Sequence, residues 1–387
     1  MSEAERVCAC GREKRHIGDD VTRRLEYVPA HFVEHEYHRA KYACGRCKDG
    51  VSTAPAPASV IERSAADASL LAHVIVSKYA DHTPLHRLRR IYERSGVDIP
   101  VSTLSGWVGA SAARLQPLGD LLAERVLGAH VVRTDATGLK VLDPTTPGNI
   151  NRGTIWCYVG DDRDVLFRYA PTGEGARGPW AFMAGRTGYI QADAAGTFDR
   201  LYNGQAASAT EVGCWAHARR RFVALAETDC RVAEPLGLMR RIYRVEELAD
   251  LRRLTPEERG ELRRERTKPA LDRLKLWLIE TAAQEPPASD LAKAAAYSLN
   301  HWAALTRFLE DGRVAPDNNL CEQQLRDIAL GRKNFLFAGS HDAAQNAALL
   351  YSLTRTCARH GVPPLPYLTD VLRKLAGGWP AARLDEL

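Results

Sequence analysis

From His130 onward, apolar positions alternate with polar ones. The runs "HVVRTDATGLKVLD", "GTIWCYVGD" and "DVLFRYAP" are rich in β-branched and aromatic residues and are split by Gly, Asp and Pro. They predict three successive strands in an antiparallel meander. "RGPWAFMAG" predicts a short helix, "GYIQAD" a fourth strand and "ATEVGCWAH" a fifth. Mixed strands followed by helices predict an α/β core.

Elsewhere the apolar period lengthens to that of a helix. Leu85, Leu88, Ile91 and Tyr92 share a face behind Pro84, and Gly96 ends that helix. Ser102 is positioned to cap a second helix with Leu104, Trp107 and Val108 inward. Two short helices so joined predict a helix-turn-helix. Arg87, Arg89, Arg90 and Arg94 around its first helix suit phosphate contacts, the alternative being a helical hairpin with a solvated basic face. The stretch from about Arg231 to Gly312 reads as helical throughout. Thr255, Pro256 and Glu258 form a capping signal, Leu271, Leu274 and Leu278 share a face, and Pro286 and Pro287 interrupt the run. Its charges alternate in sign, as on a solvated face. A last helix is predicted after Ser340, ending at Gly361. "VSTAPAPAS", Val51 to Ser59, reads as a linker. The expected organisation is a metal-binding segment at 1–50, a linker at 51–60, a helical DNA-binding region at 61–127, a catalytic domain at 128–345 with a helical insertion at about 231–312, and a C-terminal helical segment at 346–387.

Composition narrows the class. The 387 residues exceed one compact core, and no apolar run approaches the ~20 residues of a membrane span. "MSEAERVCAC" lacks the apolar stretch of a secretion signal, so a cytoplasmic protein is expected. Lys and Arg number 53 against 48 Asp and Glu, a net charge of +5, so nucleic-acid binding has to be argued from local clusters. Nine cysteines, an odd number, speak against a disulfide framework. Four of them, Cys8, Cys10, Cys44 and Cys47, fall in the first 47 residues. "CGRC" has the spacing of a zinc knuckle, whereas "CAC" fits less well, with His16 or His38 as substitute ligands. The expected cofactor there is structural Zn2+ in a small ribbon.

Asp135 and Asp193 close apolar β runs, at the rim of a sheet where ligands reach. Glu322 sits on a helix far downstream. Three such carboxylates are candidates to converge on two Mg2+ ions and so promote in-line phosphoryl transfer. Each also has a structural alternative: turn residues for the aspartates, and for Glu322 a capping box with Asn319 or a pair with Arg326.

Five stretches carry a resemblance: "RRLEYVPAHF", "KYACGRC", "LLAHVIVSKYADHTPLHR", "CWAHARRRF" and "DGRVAPDNNLCEQQLRDIALGRKNFLFAGS". Together they resemble the IS66-family transposases of bacterial insertion sequences, over almost the whole chain. The last matches the family's Asn-Asn-x-x-Glu-x-x-x-Arg block, which holds the final acid of a DDE triad. The resemblance implies an RNase H-like catalytic domain with a helical insertion before that acid, and a triad of Asp135, Asp193 and Glu322. It implies metal-dependent cleavage and strand transfer of DNA, with water and then the freed 3′-hydroxyl as nucleophiles. His217 and Arg220 are expected to orient a carboxylate or meet a phosphate, and Arg326, Arg332 and Lys333 to meet the DNA backbone. Phe335 and Phe337 alternate, as core residues on a strand do. A homo-oligomer, possible accessory proteins of the element and a bacterial, nucleoid-associated location follow from the resemblance alone. The chain departs from the family at "DATG" after the first aspartate, at Asp193-Ala194-Ala195 where Asp-Gly-Tyr is usual, at Cys8-Ala9-Cys10, and in the missing leucine-zipper-like N-terminal region. The alternatives are a decayed DNA-binding remnant that represses transposition, and a nuclease that cuts without joining.

Overall fold

The computed structural model describes residues 6–27, 30–46 and 50–387. A small hairpin, β1 (Lys41–Ala43) against β2 (Val51–Thr53), comes first. Residues 51–53 of the expected linker are therefore a paired strand. The helices α1 (Ala68–Tyr79), α2 (Leu85–Arg94) and α3 (Val101–Gly128) follow. Asp67 caps α1 through its carboxylate, which accepts the Ser69 amide.

The expected helix-turn-helix is altered in its second half. Pro100, not Ser102, precedes the first turn of α3, and α3 runs for 28 residues instead of ending as a short recognition-type helix. Its inward positions from Leu104 to Val126 are buried along that whole length, so it is a spine of the core. On α2, Leu88 and Tyr92 are buried but Ile91 is exposed. Arg89 is tied to Glu93 and Asp98, both at 2.9 Å, which removes one cation from the basic face.

The sheet comprises β3 (Val131–Leu142), β4 (Ile150–Gly160), β5 (Asp164–Ala170), β6 (Tyr189–Gln191) and β7 (Thr210–Val212). Its order is β5-β4-β3-β6-β7. The first three strands form the expected antiparallel meander, and β6 and β7 continue it in parallel beyond β3. A short helix, α4 (Pro179–Phe182), precedes β6. Alternation along β4 and β5 divides the interior in two. Ile155, Cys157, Val159, Val165 and Phe167 face a core built with α1 and α3. Trp156, Tyr158 and Leu166 face Met183, Ile190 and Phe198 on the other side.

After β7 come α5 (Trp215–Val223), α6 (Ala233–Leu251), α7 (Pro256–Leu262), a π-helical turn at Arg263–Thr267, α8 (Lys268–Gln284), α9 (Asp290–Asn300) and α10 (Trp302–Thr306). Leu271, Leu274 and Leu278 are buried in one core with Trp215, Phe222 and Met239. Thr255 and Glu258 form the reciprocal cap expected of them. The charges of this region are not all solvated, because Arg263 is only 1% exposed and bonds Glu246.

The chain closes with α11 (Asn319–Phe335), α12 (His341–Arg359) and α13 (Pro364–Ala376). Ser340 caps α12. Because α12 is continuous through position 345, no break in the chain marks the boundary expected there. Phe335 and Phe337 are not strand core: Phe335 ends α11, Leu336 turns the chain with φ +66°, and Phe337 is 43% exposed. Among the described residues, no helix is long and apolar enough to cross a membrane.

Candidate active site

Asp135 does not end its strand. It is the fifth residue of β3, the central strand, and its cross-strand partner on β4 is Cys157. Directly opposed residues point to one face, so Asp135 faces the same side as Cys157. There α11 crosses, with the Cys321 thiol against the Cys157 carbonyl at 3.8 Å. Glu322 is the next residue and lies in the first turn of α11.

Asp193 reaches the same place through register. The parallel pair β3–β6 ends at Arg133 opposite Gln191. Two residues further along each chain stand Asp135 and Asp193. The Asp193 carboxylate accepts the Ala195 amide at 3.3 Å, and Asp135 accepts the Ala136 amide at 2.7 Å.

His217 and Arg220 come from the first and last turns of the short helix α5. Their three-residue spacing puts both on one helical face. The His217 Nδ1 lies 3.7 Å from Glu322 Oε1, and the Arg220 Nη2 lies 3.4 Å from Glu322 Oε2. Glu322 therefore pairs across the site, not with Arg326 on its own helix. Neither His217 Nδ1 nor Glu322 Oε1 has a hydrogen-bond partner, although both are buried atoms. An open cavity of about 300 Å3 adjoins them, lined by Asp193, His217, Arg220, Arg221 and Tyr297.

The electrostatics follow from crowding. Burial pushes the Asp135 carboxyl up from 3.8 to about 6, and the charges of Asp193 and Glu322 add to the rise while His217 opposes it. Asp135 thus feels both other carboxylates. Asp135 on β3, Asp193 just beyond β6 and Glu322 on α11 offer carboxylate oxygens of the kind a hard divalent cation takes, but among the described residues these three do not form a group within 4.8 Å of one another. Cys214, His217 and Glu322 do bring sulfur, nitrogen and oxygen within that distance. The Cys214 thiol is otherwise engaged: it accepts the Asn318 amide at 3.3 Å, and burial raises it to about 11, so it stays protonated at neutral pH.

A set of buried polar residues holds these elements in place, and sequence reasoning missed them. The Asn318 side chain donates to the Thr134 carbonyl at 2.9 Å, one residue before Asp135. Arg133 is gripped by Asp162 and donates to the Asp317 carbonyl at 2.8 Å. Gln191 donates to the carbonyls of Gly213 and Ala315 at 3.1 and 2.9 Å. The segment before α11 is thereby stitched to β3, β6 and the start of α5. In the sequence, "PDNN" resembled a helix cap. The signal that could have separated Asn318 from an exposed cap was its place beside Glu322, but no periodicity shows which asparagine is buried. Tyr297, on α9, carried no local signal at all.

The other expected site residues lie further off. Arg326 and Lys333 are exposed along α11. Arg332 donates to the Gly138 carbonyl on β3, and it belongs, with Lys333, to the last turn of α11 and not to a loop. In the N-terminal segment, Cys8 and Cys10 are exposed in a tight turn closed by Gly11 N–H to the Cys8 carbonyl at 2.8 Å. Hydrogen bonds from the Cys10 backbone lower the Cys8 thiol's proton affinity. Cys44 follows β1, and Cys47 lies outside the described residues. Among the described residues, Cys8, Cys10 and Cys44 do not gather into one ligand group, and His16 and His38 face Asp19 and Glu36.

Three family profiles match the chain. "Transposase IS66 family" covers residues 63–346, "zinc-finger binding domain of transposase IS66" covers 5–48, and "IS66 C-terminal element" covers 352–387. Similar proteins of Sinorhizobium fredii include uncharacterized protein y4qI, 36% identical over 98% of this chain and 72% of its own length. Uncharacterized protein y4hP is 32% identical over 100% of this chain and 73% of its own length.

Proposed function

The chain belongs to the IS66 transposase family, and from that premise we propose that it is a DDE-type DNA transposase with Asp135, Asp193 and Glu322 as its catalytic acids. The observation that carries this reading is geometric: Asp135 and Asp193 each stand two residues beyond the last pair of the parallel β3–β6 register, and Asn318, tied to the Thr134 carbonyl, holds the start of the helix of Glu322 against β3. The strand order supports an RNase H-like core: an antiparallel meander continued by two parallel strands, with the acids on its first strand, after its fourth and on a later helix. The helices from α6 to α10 are then the insertion before the last acid. The segment before β2 is the zinc-binding unit, and the regions 61–127 and 346–387 flank the catalytic domain.

Asp135, Asp193 and Glu322 would hold two Mg2+ ions, which when bound supply positive charge to the attacked phosphate and the attacking and leaving oxygens. Asp135 lies on β3 and Asp193 two residues beyond the end of the neighbouring β6, so the register of that parallel pair governs their separation. Arg220 and His217 orient Glu322, and the buried ties of Asn318 and Gln191 keep the first turn of α11 over β3. Arg326, Arg332 and Lys333 lie along α11, where a DNA backbone can pass. Water attacks at the element's end, and the freed 3′-hydroxyl then attacks target DNA. The chain acts as a homo-oligomer on two ends. Cys44 and Cys47 would hold a structural Zn2+, with Cys8 and Cys10, or His16 or His38 in their place, as the remaining ligands.

The test is Mg2+-dependent cleavage and strand transfer on a duplex carrying the element's terminal repeat. Glu322→Gln is expected to abolish both while a gel shift of the same duplex persists. Binding by the wild-type chain without cleavage would instead make it a repressor, and cleavage without joining would make it a nuclease. For zinc, metal analysis should find about one ion per chain, lost in Cys44→Ser.

A further inference from the structure

A second cavity lies on the Asp135 face of the sheet. Thr137 opposes Ile155 on β4 as Asp135 opposes Cys157, so Asp135, Thr137 and Leu139 share the side covered by α11. Leu139 and Ile155 line this cavity, which holds about 300 Å3 and opens beside α1, α3 and the end of α11. Four strand residues separate Asp135 from Leu139, about 13 Å. Ten helical residues separate Glu322 from Arg332 at the rim, about 15 Å. Both routes place the mouth a few nucleotides from the carboxylates, since a stacked strand advances roughly 3.4 Å per nucleotide and an extended one advances further.

The lining has a mixed character. Tyr79, Phe335 and Phe337 supply aromatic surface. The Lys78 ammonium stands 4.2 Å from the centre of the Phe335 ring, and among the described residues no carboxylate pairs with it. Burial brings it down to about 8. Asn346 turns an uncommitted side-chain amide toward the same space. The chain turns at Leu336, with positive φ, and the half-exposed Phe337 and Arg332 both line the cavity. A purely apolar ligand would leave Lys78 and Asn346 without partners. Asp342 lines the cavity as well, so a planar heterocycle that carries both N–H donors and acceptors, attached to a phosphate backbone, satisfies the rings, the amide, the carboxylate and Arg332 at the rim together.

We propose that this cavity receives one unstacked nucleobase of the DNA strand whose phosphate lies at Asp135, Asp193 and Glu322. The inference rests on the transposase reading and adds to it a site that senses the DNA beside the cleaved bond. Aromatic stacking offsets the loss of base stacking, and the extrusion fixes the register of the strand over the carboxylates.

The experiment uses the full chain and the terminal-repeat duplex, with 5-iodouracil placed in turn at each of the nucleotides flanking the cleaved bond. Irradiation is expected to crosslink one position to Phe335, Phe337 or Tyr79, identified by mass spectrometry. Phe337→Ala should weaken binding of the intact duplex about tenfold, and by much less when the crosslinked nucleotide is abasic. Circular dichroism checks that the variant folds. Crosslinks only to residues elsewhere, or an equal loss on intact and abasic DNA, overturn the base pocket while normal cleavage leaves the transposase reading intact. A wild-type chain that binds no terminal-repeat DNA overturns both.

Discussion

Arg263 in the insertion and Asp135 in the sheet are both charged groups withdrawn from water, and their surroundings treat them in opposite ways. The Arg263 guanidinium donates twice to Glu246 at 2.8 Å and also to the carbonyls of Phe308 and Asp311 at 2.5 and 3.0 Å. Arg259 completes the group by bonding both Glu246 and Asp250. Around Asp135 two further carboxylates raise its proton affinity against a single opposing His217, and Glu322 Oε1 has no hydrogen bond. Buried charge with its partners present is framework, whereas buried charge left incomplete marks a place for something from outside. The two are also connected. Arg263 grips Asp311, at the start of the segment that leads through Asn318 to Glu322. At Gly312 any side chain would collide with the Pro256 carbonyl, so the insertion and this segment meet backbone to backbone.

The contrast can be broken by mutation. The largest effect is expected in the sheet: Asp135→Asn should lower DNA cleavage by about a thousandfold or more while duplex binding is retained. Equal losses of binding and cleavage would mean that Asp135 is framework after all. Arg263→Ala should do the reverse, destabilising the fold by about 3–5 kcal/mol in urea titration because Glu246 is left buried and unpaired. Arg263→Met combined with Glu246→Leu should recover much of that loss.

A smaller effect distinguishes the two by pH. The folded Asp135 carboxyl sits at about 6, above its ordinary 3.8, so the folded chain holds this proton more tightly than the unfolded chain. Its contribution to stability is therefore full below pH ~4 and is lost as pH rises through about 6. In the metal-free protein, Asp135→Asn should remove that decline, worth roughly 2 kcal/mol after allowance for solvent screening. Added Mg2+ should stabilise the wild type at pH 8 and leave the Asn variant less affected. A wild-type curve that climbs between pH 4 and 7 by the same amount as the variant's would contradict the crowding. The smallest effect is at the rim of the insertion, where Thr255→Ala should cost about 1 kcal/mol through loss of the reciprocal cap, with cleavage at permissive temperature unchanged.

Where local physics rules, the sequence was readable. The meander, the cap at Thr255, the breaks at Pro286 and Pro287 and the inward leucines of α8 all follow from spacing within one segment. The failures occur where a distant partner decides. α3 looked like a short helix ending a turn, but a core of α1, α12 and α13 extends its buried stripe over 28 residues. Phe335 and Phe337 alternated like a strand, yet the helix of Glu322 runs to Phe335 and the chain then turns at Leu336. Asn318 was indistinguishable from an exposed cap residue until its amide met Thr134.

Sequence by itself determined the three candidate acids, the helical setting of Glu322 and the family to which the chain belongs, because residue type and short spacing are local properties. Only the tertiary structure decided where these residues stand relative to the sheet, through the parallel register of β3 with β6 and the seating of Cys321 against Cys157. Register and helix placement are set by packing between distant segments, 58 residues apart for Arg133 and Gln191 and 164 for Cys157 and Cys321, and no short window along the chain contains both sides of those contacts.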